Sequence, residues 1–347
     1  MPLLLHPPLG DFASDAALPN LGPALMPDVV ERALADRLHI AGTSGPPRVG
    51  GIRVIAYKPG RRCLIEYDVR LRADDGSNVS LALLGKMRVN RYGNSGFRQL
   101  RALWDAGFGS DTADGISVPE PICTVPALSL WLQRKVEGDV ASKILTRTPP
   151  APFAARIARA VQKLHTCGVQ PEKRHTMDDE LRILDGTLPC VADDHPELAR
   201  RISRLLGACG RLGGLVPERV PCGSHRDFYA DQVLLTDDRM VLIDFDLFCE
   251  GDPGLDIGNF IGHVAEQSLR EHGNAGALGA LEQALEEAFV AEAGEDSRWP
   301  VRVYAALTLA RHVYLSTRVA NRGHLTEAVL TAAEERVAVT AADGGHA

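Results

Sequence analysis

The segment PCGSHRDFYADQVLLTDDRMVLIDFDLFCEGDPGLDIGNF, residues 221–260, crowds aspartates around two short apolar runs. A carboxylate is costly to desolvate, so such a cluster beside buried strands needs a cation or a proton to interact with. The runs VLL and MVLI are joined by the turn TDDR and are predicted to pair as a hairpin. This hairpin would return Asp244 to the end of the sheet at which Asp227 lies.

The spacing of these residues suits phosphoryl transfer. A kinase loop of the form H-R-D-x-x-x-x-N supplies an Asp for the substrate hydroxyl proton and, five residues later, an amide that coordinates a metal. The segment HRDFYADQ offers Asp227 and Gln232 at these two positions, and Asp244 follows the hairpin. The alternative interpretation is a solvated hairpin with chance carboxylates, and it has to account for three ordered motifs at once.

The three motifs SHRDFYADQVLL, VLIDFD and GDPGLDIGNF resemble those of the aminoglycoside phosphotransferase and choline kinase-like family. The resemblance is strong over residues 223–260 and weaker from about residue 50 to 335. It implies an α+β, two-lobed protein-kinase-like fold, with a small antiparallel-sheet N-lobe and a larger, mostly helical C-lobe. It also implies ATP and Mg²⁺ as cofactors.

By the same resemblance, Asp227 is the catalytic base and Asp244 the principal metal ligand. Gln232 takes the second metal-ligand position, where the family normally has Asn. Asp252 and Asp256 are expected to support the loop, because an aspartate before a helix accepts backbone N–H groups. His165 and His225 are expected to be structural.

The order of elements along the chain agrees with two lobes. Residues 1–45 form a helical N-terminal extension with the helix MPDVVERALADRLH, followed by the breaker AGTSGPPRVGG. Residues 46–137 form the nucleotide-binding N-lobe with an antiparallel meander and a connector strand. Residues 138–340 form a helical C-lobe with the catalytic loop and the acceptor site. Residues 170–195 are a variable polar stretch between helices.

The nucleotide site is expected in the strand-rich block. Lys86 lies on a strand before the first long helix, where it would neutralise ATP phosphates; the alternative is a solvated strand face. The helix SGFRQLRALWDAGF has no Glu to pair with Lys86, so Gln99 or Glu66 is the expected substitute. The turn in YKPGRRCLIEY offers three further cations to the phosphates, namely Lys58, Arg61 and Arg62. An exposed basic turn without a ligand is an equal alternative.

Composition excludes several other classes. A formal net charge of −7 argues against a nucleic-acid-binding protein, and no apolar run approaches the ~20 residues of a membrane helix. The amino terminus lacks the pattern of a signal peptide. The seven cysteines, scattered and odd in number, indicate reduced thiols and a cytoplasmic location. Neither a zinc-type histidine pair nor a G-x-S-x-G motif is present.

The predicted activity is therefore an ATP-dependent transfer of the γ-phosphoryl group to a hydroxyl of a small molecule. Aminoglycoside-like, choline-like and sugar-like acceptors all remain open, and so does the oligomeric state. The rival function is a nucleotide-binding pseudokinase acting as scaffold or sensor, favoured by Gln232 and by the missing helix Glu. A protein kinase is disfavoured, because DFD runs directly into GDPGLD without room for an activation loop.

Overall fold

The computed structural model describes residues 15–89, 95–236 and 238–344. The helices are α1 (Leu21–Ala24), α2 (Pro27–Ala35), α3 (Ser95–Leu103), α4 (Pro150–Thr166), α5 (Met177–Asp194), α6 (Ala199–Gly214), α7 (Gly254–His272), α8 (Gly279–Ala293), α9 (Arg298–Arg318) and α10 (Thr326–Gly344). The strands are β1 (Thr43–Lys58), β2 (Arg62–Ala73), β3 (Asn78–Arg88), β4 (Ile116–Ser117), β5 (Pro121–Val125), β6 (Leu130–Arg134), β7 (Asp139–Val140), β8 (Cys222–Ser224), β9 (Val233–Leu235), β10 (Met240–Leu242) and β11 (Cys249–Gly251). Across these residues, no helix has both the length and the apolar character needed to span a membrane.

The chain divides into two compact units. The first contains Met1–Gly138 with Thr236–Ile243, and the second contains Asp139–Leu235 with Asp244–Ala347. A small antiparallel sheet dominates the first unit, and helices dominate the second. The predicted α+β fold class is therefore confirmed.

The sheet of the first unit has the strand order β1-β2-β3-β6-β5. Strands β1, β2 and β3 pair antiparallel in sequence, so the predicted meander is confirmed. The prediction that AGTSGPPRVGG breaks the structure is wrong, because β1 begins at Thr43 and runs through it. The pairing is interrupted between Ser44 and Arg48, around the two prolines. An edge strand tolerates such an irregularity, since proline removes only a ladder hydrogen bond there.

One face of this sheet is covered by α1 and α2. Leu21 and Leu34 from these helices are buried with Ile65 and Leu83 of the sheet in one apolar core. The hydroxyl of Tyr67 donates to the carbonyl oxygen of Ala24 at 3.0 Å, which ties the helices to β2. Side chains alternate along β3, so Lys86 lies on the face opposite to this core.

The second unit contains a helix that the sequence did not predict. Residues 177–194 fall inside the stretch read as polar and variable, but they form α5. Thr176 and Asp179 make a reciprocal capping box at its start. Only four residues of α5 are buried, and they follow one another at helical spacing: Glu180, Leu184, Leu188 and Val191. The polar prediction was wrong because the exposed face of this helix dominates its composition.

Helix α7 is buried along most of its length and packs closely on α9. A Cβ added at Gly258 would lie 2.4 Å from Tyr304 Cβ, and one at Gly262 would lie 2.7 Å from Thr308 Cβ. Real Cβ atoms do not approach so closely, so these two glycines permit the contact. The close packing holds α7 in place beneath the loop that follows β8.

Candidate active site

One face of α7 contacts successive residues of the loop 225–232. Asp256, Asn259 and His263 are spaced by three and four residues, so they lie on one side of the helix. Asp256 accepts hydrogen bonds from the main chain of residues 225 and 226, and Asn259 donates to the main chain of residue 228. His263 stacks on the ring of Tyr229, with centroids 4.2 Å apart. The helix therefore aligns the loop residue by residue.

Asp256 is the innermost support of the loop. Its carboxylate is fully buried and accepts the main-chain N–H of His225 at 3.0 Å and that of Arg226 at 2.8 Å. His165 Nε2 lies 3.2 Å from the same carboxylate. Burial raises the pKa of Asp256, but the hydrogen bond and charge of His165 and the contacts with His225 outweigh it, so the pKa lies below its usual value. Asp256 and His165 are structural, as expected.

A chain of buried polar groups holds the next part of the loop. Asn259 Nδ2 donates to the carbonyl oxygen of Phe228 at 3.0 Å, and its Oδ1 accepts from Arg311 at 2.6 Å. Arg311 also contacts Glu180 at 3.2 Å, and Glu180 lies 2.6 Å from His175 Nε2. Burial raises the pKa of Glu180, but the bond from His175 and the charge of Arg311 hold it below its usual value. Three helices thus fix the residue that follows Asp227.

Two residues of the site have a left-handed backbone. Arg226 has a φ of 70°, and Asp244 has a φ of 62°. Only four non-glycine residues in the described part of the chain have positive φ, and the other two are Ser129 and Asn321. Such conformations cost free energy and persist where surrounding contacts impose them, as they do at functional sites. The strain falls at Asp244 itself and immediately before Asp227.

The predicted catalytic and metal residues gather around Tyr229. Burial raises the pKa of Tyr229 to about 12, and the charges of Asp227, Asp231 and Asp244 act in the same direction. A hydrogen bond with the Gln232 side chain opposes this shift. Asp244, which follows Asp227 by 17 residues in the sequence, therefore lies close enough to the loop for its charge to act on Tyr229.

The turn predicted between the two apolar runs is present. The N–H of Thr236 donates to the carbonyl oxygen of Arg239 at 3.0 Å, and the N–H of Arg239 returns a bond to Thr236 Oγ1. Asp237 in this turn lies outside the described residues. Beyond the turn, β10 ends two residues before Asp244.

These residues fit a magnesium ion. Among the residues that the structure describes, no three His, Cys, Asp or Glu side chains form a metal-binding group. Mg²⁺ does not need one, because it is commonly held by one or two carboxylates together with phosphate oxygens and water. Asp244 supplies a carboxylate and Gln232 an amide oxygen, and both are ligand types that this ion accepts.

The residues predicted to bind the nucleotide lie in the first unit. Lys86 on β3 is opposite Leu64 and Trp131 in the sheet, and its Nζ lies 5.3 Å from the centroid of the Trp131 ring. Lys58 ends β1 and Arg62 begins β2, with Gly60 in the turn at a φ of 64°. Arg61 in this turn is exposed, with its N–H bonded to the carbonyl oxygen of Lys58.

Glu66 does not serve as the suggested partner of Lys86. Its buried carboxylate lies 3.0 Å from Lys135 Nζ and 3.4 Å from Arg53. That alternative for the missing helix glutamate was wrong, because strand register sets Glu66 opposite Arg53 and Leu84, and Lys135, the residue after β6, pairs with its carboxylate. Gln99, the other suggested substitute, is buried in α3.

Sequence reasoning missed several residues of the site. Asn259 and His263 follow Asp256 at helical spacing, and this periodicity could have identified them. Arg311 and Glu180 gave no comparable signal, since they lie 52 and 79 residues from Asn259. Tyr229 gave no signal of its own inside the loop, because the H-R-D-x-x-x-x-N motif leaves its position unspecified.

A family profile described as the phosphotransferase enzyme family matches residues 97–297, more than half of the chain. The chain belongs to this family, which confirms the resemblance seen in the three motifs. No curated protein is significantly similar in sequence.

Solved structures with the same fold are distant in sequence. A choline/ethanolamine kinase family protein from Mesorhizobium loti is 17% identical with a TM-score of 0.53, and covers 89% of this chain and 94% of that one. A spectinomycin phosphotransferase, in complex with ADP and spectinomycin, is 11% identical with a TM-score of 0.52 and coverages of 90% and 97%. An amicoumacin kinase, in complex with AMP-PNP, Ca²⁺ and Ami, is 15% identical with a TM-score of 0.56 and coverages of 89% and 93%. At these identities the likeness establishes the fold.

Proposed function

We propose that this protein is an ATP-dependent kinase that transfers the γ-phosphoryl group to a hydroxyl of a small molecule. The observation that carries the proposal is the loop 225–232, which contains Asp227 and Gln232 and which α7 aligns through Asp256 and Asn259. Membership of the phosphotransferase family supports it. Related folds solved with ADP and spectinomycin, or with AMP-PNP and Ami, support ATP and a small acceptor.

In this mechanism, Asp227 accepts the proton of the acceptor hydroxyl as the hydroxyl oxygen attacks the γ-phosphorus. The bond from the γ-phosphorus to the β–γ bridging oxygen breaks in the same step, and ADP leaves. The backbone bonds to Asp256 and Asn259 hold the loop, so the carboxylate does not have to reorient during the step. Asp244 and Gln232 would hold Mg²⁺, which when bound neutralises charge on the phosphates. Lys86, with Lys58, Arg61 and Arg62 at the β1–β2 turn, would bind the phosphates of ATP.

A cytoplasmic location accompanies this proposal. All seven cysteines are within the described residues and are free thiols. Burial raises the pKa of Cys63, Cys209 and Cys249 to about 12, so these three stay protonated. Unpaired buried thiols suit a reducing compartment, where ATP is also available.

The substitution Asp227→Asn tests the proposal. It keeps the shape of the side chain but removes the carboxylate that accepts a proton. General-base assistance is worth about 10²- to 10⁴-fold, so kcat is expected to fall by that factor. Calorimetric titration with AMP-PNP and Mg²⁺ should show unchanged affinity, because Asp227 does not hold the nucleotide.

Two outcomes would contradict this assignment. Loss of nucleotide binding in Asp227→Asn would make Asp227 a metal or structural residue. Nucleotide binding without any Asp227-dependent turnover or ATP hydrolysis would favour the rival function, a pseudokinase.

A further inference from the structure

A cavity of about 430 Å³ opens in the second unit beside the predicted catalytic loop. Tyr229, Ala230 and Asp231 of the loop line it, together with residues of α7 and α9. Tyr229 lies in the electrostatic field of Asp227 and Asp244. Asp227 does not itself line the cavity, but it precedes Tyr229 by two residues in the same loop, so the cavity opens beside the loop that carries the proposed catalytic carboxylate.

The charges that line the cavity cancel. The lining contains three cationic and three anionic side chains: Lys143, Arg270, Arg322, Asp231, Glu266 and Glu271. A cavity built to bind a polycation would carry an excess of carboxylates, since complementary charge provides both attraction and specificity. This lining provides no such excess.

Two of the carboxylates that line the cavity already pair with arginines of the protein. Glu266 lies 3.3 Å from Arg270 and 3.2 Å from Arg322, and only 6% of it is exposed. Glu271 accepts from Arg270 at 3.3 Å and from Gln267 at 3.1 Å. A cationic ligand would have to displace these arginines, which costs the free energy of partly buried ion pairs.

The wall facing the loop consists of two uncharged histidines. His263 lies between the ring of Tyr229 and that of His312, whose centroid is 4.4 Å away. Burial lowers the pKa of His263, and burial followed by the charges of Arg311 and Arg322 lowers that of His312 to about 3. Burial is the main reason that both imidazoles stay neutral, and the same burial disfavours an ammonium group beside them.

His312 also offers an unused hydrogen-bonding atom. The side chain lines the cavity, is only 4% exposed, and its Nε2 has no hydrogen-bond partner in the described part of the chain. A neutral imidazole nitrogen is a donor in one tautomer and an acceptor in the other. A hydroxyl satisfies either tautomer, whereas an ammonium only donates and a carboxylate only accepts.

We propose that this cavity binds the phosphoryl acceptor, and that the acceptor is an uncharged polyhydroxylated molecule of the sugar or cyclitol class. One of its hydroxyls bonds to His312 Nε2, and another lies beside Asp227. This inference rests on the proposed kinase function. It selects among the aminoglycoside-like, choline-like and sugar-like acceptors that the sequence leaves open.

The test measures binding and turnover separately on the full chain. Calorimetry with maltose, trehalose and myo-inositol is compared with calorimetry with kanamycin and choline, and product formation with ATP and Mg²⁺ is followed by mass spectrometry. At least one neutral compound is expected to bind about tenfold more tightly than either cation, a difference well within what charge mismatch produces. The same compound is expected to be phosphorylated.

Two variants and one control test whether binding depends on the cavity. His312→Phe keeps ring size and neutrality but removes the nitrogen, so KM for the neutral acceptor should rise about 10-fold with a smaller change in kcat. His195→Phe, on a histidine outside the cavity, is the control and should leave KM unchanged. Arg322→Gln gives the cavity a net negative charge and should strengthen choline binding while changing binding of the neutral acceptor little.

The outcomes separate this inference from the proposed function. Tighter binding of kanamycin or choline, or no His312-dependent binding of any neutral compound, would overturn the acceptor class. If a neutral compound binds in a His312-dependent way but is not phosphorylated, the proposed binding site stands and the proposed kinase function is contradicted.

Discussion

The carboxylate of Asp256 accepts the main-chain N–H of Arg226 at 2.8 Å, and Arg226 has a φ of 70°. A left-handed arginine backbone is unfavourable, so it requires a contact that offsets its cost. Asp256 provides this contact from a fully buried position at the start of α7. The conformation that presents Asp227 is thus imposed by a helix that follows it by about thirty residues in sequence.

Asp256→Asn is expected to lower both stability and kcat. The change removes the negative charge that His165 and two main-chain N–H groups stabilise, and disrupting a buried pair of this kind costs about 3 kcal/mol of unfolding free energy. A misaligned loop should lower kcat by about 10- to 100-fold, with little change in nucleotide affinity. Urea unfolding and steady-state kinetics measure the two effects.

Glu282→Gln is the matched control for this variant. Glu282 is also buried and pairs with Arg336, but it lies in α8 and does not contact the loop. Because burial raises the pKa of Glu282, the neutral amide should cost little unfolding free energy, and kcat should be unchanged at a temperature where both variants are folded. Equal kcat in wild type and Asp256→Asn would refute the role of Asp256 in aligning the loop.

Asp244→Asn is expected to abolish most Mg²⁺-dependent turnover. Asparagine tolerates the left-handed backbone of this position, so the fold is kept while the charge is lost. Metal assistance contributes several kcal/mol to such reactions, which corresponds to a loss of at least about 10²-fold. A Mg²⁺ titration of activity measures it, with the exposed Asp238→Asn as control; a wild-type titration curve for Asp244→Asn would remove Asp244 from the metal site.

Gln232→Asn and Gln232→Ala together test the unusual amide. Asn keeps the carbonyl oxygen at slightly shorter reach, so activity should be preserved or raised. Ala removes the oxygen, and the Mg²⁺ concentration for half-maximal rate should rise about 10- to 100-fold. Because Gln232 is buried, the unfolding free energy of each variant is measured alongside. Indistinguishable Mg²⁺ dependence in all three proteins would show that the residue is not a ligand.

The buried histidine of the cavity should make the protein acid-sensitive. Burial and the neighbouring arginines lower the pKa of His312 to about 3, so between about pH 3 and 6.5 the unfolded chain binds a proton that the native chain does not. The contribution of His312 to the unfolding free energy is therefore fully present above pH 6.5 and is lost as the pH decreases. Between pH 7 and pH 5 this one group accounts for about 2 kcal/mol.

Urea unfolding at pH 7 and pH 5 measures this effect. His312→Gln should lose less unfolding free energy on acidification than wild type, by roughly the amount given above. His195→Gln, at a partly exposed histidine, is the control and should behave as wild type. An identical acid-induced loss in His312→Gln and wild type would contradict the buried neutral state.

Short-range patterns allowed much of the fold and the loop to be predicted. The meander, the turn at 236–239 and the motifs of residues 223–260 depend on neighbours in sequence, and turn and strand signals act over such distances. The role expected for Asp256 followed in the same way, from its place at the start of a helix. Helix α5 was missed although its signal, Thr176 followed by Asp179, stands in the sequence.

Tertiary structure decided what the side chains contact. Glu66 pairs with Lys135, 69 residues away, and Asn259 is held by Arg311, 52 residues away. The neutrality of the cavity likewise depends on which carboxylates the arginines reach, and composition cannot reveal this. Sequence alone determined the motifs of the loop and the family, because those depend on a few consecutive residues. The partners of each charge depended on helix packing, which brings together groups that no spacing connects.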